Sequence, residues 1–323
     1  MASCKLGIKF SGDTNTSNML RTAALSERLG YNSLWATESR FTRDAFTRAS
    51  ALSTTSNRIA VGTAVVNPFT RSIAVLAISA STIDEISNGR FILGMGPGTR
   101  RYIEPQGIRL EKPVKRLEET TLLIRRLWKG ETVTFHGETT NVSNMKLDFK
   151  PLREKIPIYF GVTGEKGIEL ALRVSDGIIL NGYTTVSYLK DVCERARLHQ
   201  SGSEFPILAN VMVCMSVDSE IAVTAAKHLV YAYITSFPAI AKANRISEKQ
   251  VRELTSLESK YGIEHALEQV DDSLVKEVVA AGTPEECRER VADYMQDEVT
   301  EVLLTPIFGD HSTIAQEIAE LLA

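Results

Sequence analysis

The feature that most constrains this chain is an alternation. Short runs rich in β-branched residues are followed, eight times, by longer stretches, many of them with helical periodicity. Residues 4–11 read as a strand, and 16–30 as a helix in which Leu25 and Leu29 lie one turn apart and Gly30 can close the C-terminus. Strands are expected at 31–38, 58–67 and 90–96, with helices over 43–54 and 72–87 between them. The next helix is the clearest. Val114, Leu117, Thr121, Ile124 and Trp128 recur at helical spacing, and Lys115, Glu118, Glu119, Arg125 and Arg126 occupy the other face. Residues 131–152 read as an excursion with hairpin character, and strands follow at 156–162, 177–182, 205–217 and 300–307. The mostly helical stretch 218–281 is too long for one crossover and reads as an insertion. Eight β-then-α units predict an eight-stranded parallel α/β (TIM) barrel, a single domain over 1–323. An open, doubly wound sheet is the structural rival.

The length of 323 residues suits one large barrel, and the net charge of −3 points to no nucleic-acid or membrane partner. Cys4, Cys193, Cys214 and Cys287 form no CxxC pair, so neither a disulfide framework nor a structural zinc site is expected. No signal peptide and no membrane-length apolar run is read, which predicts a cytoplasmic protein. His136, His199, His228, His265 and His311 are not at metal-ligand spacing, and no GxSxG elbow occurs, so no metal site or hydrolase triad is expected.

Barrel active sites form at the C-terminal ends of the strands, which turns chain order into a candidate roster. The first strand ends near Lys9, Ser11 and Asp13; the second at Thr37-Glu38-Ser39-Arg40; the third at Asn67-Pro68, with Arg71 close behind. The fourth ends in "GMGPGTRR" (94–101), where Gly96, Pro97 and Gly98 let a ligand face approach the backbone. The fifth ends in "GVTGEKG" (161–167), where Gly161, Val162, Thr163 and Gly164 run into a helix start. Free amides there attract phosphate, and Lys166 adds charge. The turn is neither a Walker loop nor a GxGxxG fingerprint. Two such turns at neighbouring strand ends suit one long phosphorylated cofactor. Glu38 stands out among the carboxylates; a surface ion pair with Arg40 or Arg43 is the competing reading.

The segments "GTAVVNPFTR" (62–71) and "TIDEISNGRFILGMGPG" (82–98) resemble the bacterial-luciferase-like superfamily of flavin and deazaflavin enzymes. Within it the chain is most similar to the coenzyme F420-dependent methylenetetrahydromethanopterin reductases of methanogenic archaea. "YNSLWATESRFTRDAF", "EKIPIYFGVTGEKGIELA", "QVDDSLVKEVVAAGTPEE" and "TPIFGD" extend the likeness over nearly the whole chain. The resemblance implies F420, an 8-hydroxy-5-deazaflavin, as cofactor. It implies a non-proline cis peptide at Ala64–Val65 behind the ring, with Asn67 and Arg71 bordering the cofactor or pterin pocket, Gly96, Pro97 and Gly98 near the ring and ribityl chain, and Thr37 among the cofactor contacts. Gly161 to Gly164 would lie at the phosphate, with Arg100, Arg101 and Lys166 suited to a polyanionic tail. The implied reaction is hydride transfer between the reduced deazaflavin and methylene-tetrahydromethanopterin, in a homodimer or homotetramer.

Two positions depart from the family pattern. Lys9 stands where the family has a glutamate near the end of the first strand, and Thr37-Glu38-Ser39 replaces Thr-Asp-His. The expectation is that Glu38 supplies or orders a proton, while Lys9 pairs with it or with an anionic substrate group. The alternatives are an FMN-dependent monooxygenase of the luciferase type and a flavin-binding barrel impaired in catalysis.

Overall fold

The computed structural model describes residues 4–39, 41–199 and 205–322. The chain divides into two compact units, one being Gly7–Ile179 and the other the first residues to Leu6 with the segment from Leu180 onward.

Six parallel strands form the sheet of the Gly7–Ile179 unit. They are β1 (Lys5–Phe10, entering the unit at Gly7), β2 (Ser33–Ala36), β3 (Ala60–Thr63), β4 (Phe91–Met95), β7 (Ile158–Gly161) and β8 (Gly177–Ile179), paired in that order. Between β4 and β7 in sequence, β5 (Val133–His136) and β6 (Asn141–Met145) make the expected antiparallel hairpin. All four residues of β2 are buried, as expected of a parallel strand covered on both faces. Register pairs Lys9 with Trp35 and Trp35 with Gly62. Gly62 is required there: a Cβ would fall 2.3 Å from the Trp35 ring, which stacks on Tyr159 at 6.2 Å.

The helices of this unit begin where short polar side chains can accept backbone N–H groups. Asn15 caps Thr16–Arg28, Asp44 caps Ala45–Thr55 and Ser72 caps Ile73–Ile86. Pro113 opens the amphipathic helix Pro113–Trp128, where its missing N–H is harmless. The helix Glu165–Val174 starts at Gly164 with no side-chain cap.

The second unit holds β9 (Ile207–Met215), β10 (Val279–Gly282) and β11 (Glu301–Phe308), all parallel, with β9 between the other two. β9 and β11 are the seventh and eighth strands expected from the sequence. β10 was not expected: the helix Asp272–Val278 runs into it without a turn, so no punctuation marks the change. The segment 218–281 is otherwise helical, as anticipated. Its helices bury an apolar cluster that includes Val223, Val230, Ile234, Leu267 and Val275. The helices Val186–His199 and Pro284–Asp293 complete the unit with the closing helix His311–Ala319. No helix among the described residues is long and apolar enough to cross a membrane.

Candidate functional site

The ends of β1, β2, β3, β4 and β7 converge within the Gly7–Ile179 unit. Backbone bonds link them: Thr37 N–H donates to Phe10 O at 3.1 Å, Ala64 N–H to Ala36 O at 2.8 Å, and Val66 N–H to Gly94 O at 3.0 Å. β3 ends at Thr63, earlier than the sequence suggested, and the Ala64–Val65 peptide is cis, at the position expected. The chain rejoins the sheet through a single bridge from Val66 to Met95. Val65 lies across its neighbours. A Cβ on Gly96 would fall 2.7 Å from Val65 Cγ2, and one on Gly161 would fall 2.7 Å from Val65 Cγ1. Both glycines are therefore present because Val65 lies over them. Gly98 has φ +75 and sits beside Asn67, whose Cβ would be 3.5 Å from a Cβ placed there. The site is a smooth wall of one valine and bare backbone.

Polar groups border this wall. The Thr37 hydroxyl is buried and has no hydrogen-bond partner, and neither has the hydroxyl of Thr99 just beyond Gly98. Buried hydroxyls are ordinarily paired, so two orphans at one set of strand ends fit a missing ligand. Asn67 Oδ1 accepts from Phe69 N–H at 2.9 Å and Thr70 N–H at 3.0 Å, closing an Asx-type turn around Pro68. Val162 is buried and Thr163 half-buried, whereas Gly164 and Lys166 are exposed at the helix start. Arg100 and Arg101 are also exposed, and Arg100 pairs with Glu104, which caps the C-terminus of its short helix Arg100–Ile103.

The two candidate catalytic residues are placed differently. Lys9 is half-buried and shares a sheet face with Trp35, its register partner, below the end of β2. Burial pushes its amine down from the ordinary 10.5 to about 8. Glu38 is gripped by Arg71, whose Nη1 donates to Oε1 at 2.8 Å and Nη2 to Oε2 at 2.5 Å. Arg71 also pairs with Asp44 and lies 5.2 Å over the Phe46 ring. Burial opposes the Arg71 charge, yet Glu38 and Asp44 outweigh it and hold its pKa above the ordinary value. The competing reading of Glu38 fails for Arg43, whose guanidinium donates to the carbonyls of Gly12 and Asp13 instead. Arg40 lies outside the described residues.

Sequence reasoning noticed Arg71 but not its partner, since 33 residues separate the pair. It missed Thr99, whose only signal is its place after a glycine turn at a strand end. It also missed the strut behind the wall. Arg116 donates to Pro68 O at 3.2 Å and Thr140 Oγ1 at 2.8 Å, and Glu119 accepts from Glu138 N–H at 2.8 Å and Thr139 N–H at 3.1 Å. Together they fasten the hairpin tip to the turn after β3. Among the described residues, no cluster of three or more His, Cys, Asp or Glu side chains could hold a metal.

Comparison with known proteins puts this geometry in context. The sequence matches the family described as "Luciferase-like monooxygenase" over residues 6–301. It is 31% identical to a 5,10-methylenetetrahydromethanopterin reductase of Archaeoglobus fulgidus, covering 98% of both chains. It is 29% identical to the enzyme of that name from Methanolobus tindarius, covering 92% of both. Among solved structures, the coenzyme F420-dependent tetrahydromethanopterin reductase of Methanopyrus kandleri superposes with a TM-score of 0.83 at 20% identity, over 99% of this chain and 98% of that one. This likeness shows the fold, the eight-stranded parallel α/β barrel expected from the alternation.

Proposed function

The chain belongs to the luciferase-like monooxygenase family, and we propose that it is an F420-dependent oxidoreductase. Its reaction is hydride transfer between the reduced deazaflavin and methylene-tetrahydromethanopterin or a related pterin, giving the methyl pterin. The relatives of that activity at about 30% identity support the reading. The observation that carries it is the wall of Val65 over Gly96 and Gly161, with the unpartnered Thr37 hydroxyl beside it. A flat ring needs such a surface, and a side chain at either glycine would collide with Val65 and push it out of the wall.

The residues present fit the cofactor. Val65, Gly96 and Pro97 would back the ring, and Thr37 would supply a hydrogen bond at its edge. Gly98 and Asn67 would border the ribityl chain, and Gly161, Val162, Thr163 and Gly164 with the uncapped helix start would receive the phosphate. Lys166, Arg100 and Arg101 stand where a polyanionic tail could reach exposed cations. When bound, the deazaflavin supplies two-electron hydride chemistry. The protein's part is to hold the two ring systems face to face on a rigid wall and to keep water from between them. Lys9, its amine lowered to about 8 by burial yet still mostly charged at neutral pH, would answer to charge on a ring bound near the end of β1.

One observation favours FMN instead: Arg100 is already paired with Glu104, which leaves fewer cations for a long anionic tail. Equilibrium binding followed by fluorescence quenching separates the two. Tight binding of F420 with weak binding of FMN, followed by turnover of a methylene-tetrahydropterin, is the expected result. The reverse preference would move the chain to the monooxygenase chemistry in its family's name.

A further inference from the structure

Where β3 leaves the sheet, one side chain takes over from the backbone. β3 pairs with β4 at Val61–Phe91 and Gly62–Ile92, and contact resumes at Val66–Met95. Between the last two of these pairs one chain carries Thr63, Ala64 and Val65, and the other carries only Leu93 and Gly94. The extra residue is a bulge, and a bulge interrupts the ladder. Toward β2 the ladder is intact, with Thr63 opposite Ala36 and Ala64 N–H donating to Ala36 O. Toward β4 the Thr63 hydroxyl closes the break. Its Oγ1 accepts from Gly94 N–H at 3.0 Å and donates to Gly94 O at 2.9 Å.

Gly94 therefore holds the bulge from both sides. Its carbonyl also accepts from Val66 N–H at 3.0 Å, and Val66 O accepts from Gly96 N–H at 2.8 Å. A Cβ on Gly94 would fall 1.8 Å from Thr63 O, so only glycine can face Thr63 this closely. Val65 lies between the two anchored residues, with its methyls over Gly96 and Gly161. Thr63 itself is fully buried, and its one hydroxyl proton is committed to Gly94 O. It can act on a bound ring only through Val65.

We infer that Thr63 is the positioning residue of this site. By bridging the break at Gly94, its hydroxyl fixes the bulge and with it the place of Val65 on the wall. The inference rests on reading that wall as the backing of a flavin-type ring, and it holds for a deazaflavin and for FMN alike.

The test compares Thr63→Val, which keeps the branched shape and removes the hydroxyl, with Thr63→Ser, which keeps the hydroxyl. The full chain is titrated with F420 and with FMN, and exchange of the Gly94 and Gly96 N–H groups is followed without ligand. Thr63→Val should weaken binding of the ring that wild type prefers by about 10-fold, the scale of one buried hydrogen bond. It should also speed exchange of both amides relative to Leu93, whose N–H donates to Pro157 O. Thr63→Ser should bring affinity back to within about threefold of wild type. Thr121→Val controls for a simple loss of stability, because Thr121 is equally buried and donates to Leu117 O at 2.8 Å within the helix Pro113–Trp128. That variant should leave affinity within about twofold of wild type. Unchanged affinity in Thr63→Val would overturn the inference and leave the functional reading standing. So would a Thr63→Ser no better than Thr63→Val, or an equal loss in Thr121→Val. A wild type that prefers FMN would overturn the F420 reading, and the same comparison made with FMN would then decide the role of Thr63. If wild type binds neither ring, the functional reading falls and this inference falls with it.

Discussion

The two units lean on different chemistry to pin their strand-end loops. In Gly7–Ile179 the pins are charged: Arg48 donates to Ser11 O and Thr14 O, Arg116 and Glu119 hold the hairpin, and Arg71 holds Glu38. In the other unit the pins around Tyr183–Thr185 and Thr305 are neutral, although Glu286 accepts from Thr283 N–H at 2.8 Å just beyond β10. Asn244 Nδ2 donates to Tyr183 O at 2.5 Å, while Asn244 Oδ1 accepts from Thr185 N–H at 3.1 Å. Tyr294 OH donates to Thr184 O at 2.6 Å, and Thr305 Oγ1 to Asn210 Oδ1 at 2.6 Å. A buried charge with a lost partner is far more costly than a buried amide with one, and it answers to pH. The charged unit is therefore the one that carries the wall and the one in which single substitutions should matter most.

Glu119 gives the largest effect. It is buried, and its carboxylate accepts from two backbone amides and from the Thr139 hydroxyl at 2.6 Å. Burial opposes its charge, yet the hydrogen bonds win and hold it below the ordinary carboxylate range. Glu119→Ala should destabilise the protein by about 3 kcal/mol in urea unfolding, since three donors lose their acceptor. The sign in pH follows from the lowered value. The contribution is complete above the ordinary 4.5 and is lost as pH falls through the lower folded value. The difference between wild type and variant should therefore narrow only in acid. An equal difference at pH 3 and pH 7 would show that packing, not the carboxylate, holds the hairpin.

Asn244→Leu is the neutral counterpart. It removes both partners of the loop after β8, so about 2 kcal/mol should be lost. That loss should be the same at pH 5 and pH 9 and at low and high salt, because nothing in the contact titrates. A marked pH dependence would break the contrast between the two units.

The order in which these features became legible has a physical basis. Periodicity exposes whatever repeats, so the alternating units, the helix Pro113–Trp128 and the hairpin were readable from their patterns. The strand-end glycines drew attention because "GMGPG" and "GVTG" fall together at neighbouring strand ends, although either one alone reads equally well as a tight turn. What joined them was not. Val65 touches Gly96 and Gly161 across two strands, and Arg71 meets Glu38 across one, and no local spacing records either contact. The cis position was reached only through resemblance. β10 escaped because "VVAAG" follows a helix directly, where an apolar run continues helical periodicity as readily as it starts a strand.

Lys9 sharpens the comparison from the other direction, as a charge that burial disfavours. Its amine is lowered from 10.5 to about 8, so below pH 8 the folded state bears the whole cost of keeping it charged. That cost fades as pH climbs from about 8 toward 10.5, where the unfolded chain also releases the proton. Lys9→Met should raise Tm by about 2–4 °C at pH 7, and the gain should vanish near pH 10.5. A drop in Tm at pH 7 would mean that the polar contacts of Lys9 outweigh its desolvation.

The smallest effect on stability belongs to Arg100, and it separates pinning from recognition. Arg100 is 70% exposed and pairs with Glu104 four residues on, at the C-cap of its short helix. Exposed pairs of this kind contribute about 0–0.5 kcal/mol, because water screens them and both side chains lose entropy. Arg100→Ala should leave Tm within about 1 °C of wild type, unlike Glu119→Ala. If the exposed cations serve an anionic cofactor tail, the same variant should weaken F420 binding about 2- to 5-fold at low salt. The difference should disappear at about 0.5 M salt, where the screening length is only a few ångströms. Unchanged affinity at low salt would assign Arg100 to Glu104 alone and leave the tail to Arg101 and Lys166. A fall in Tm as large as that of Glu119→Ala would make Arg100 another charged pin, and the division of this unit into buried pins and exposed readers would be lost.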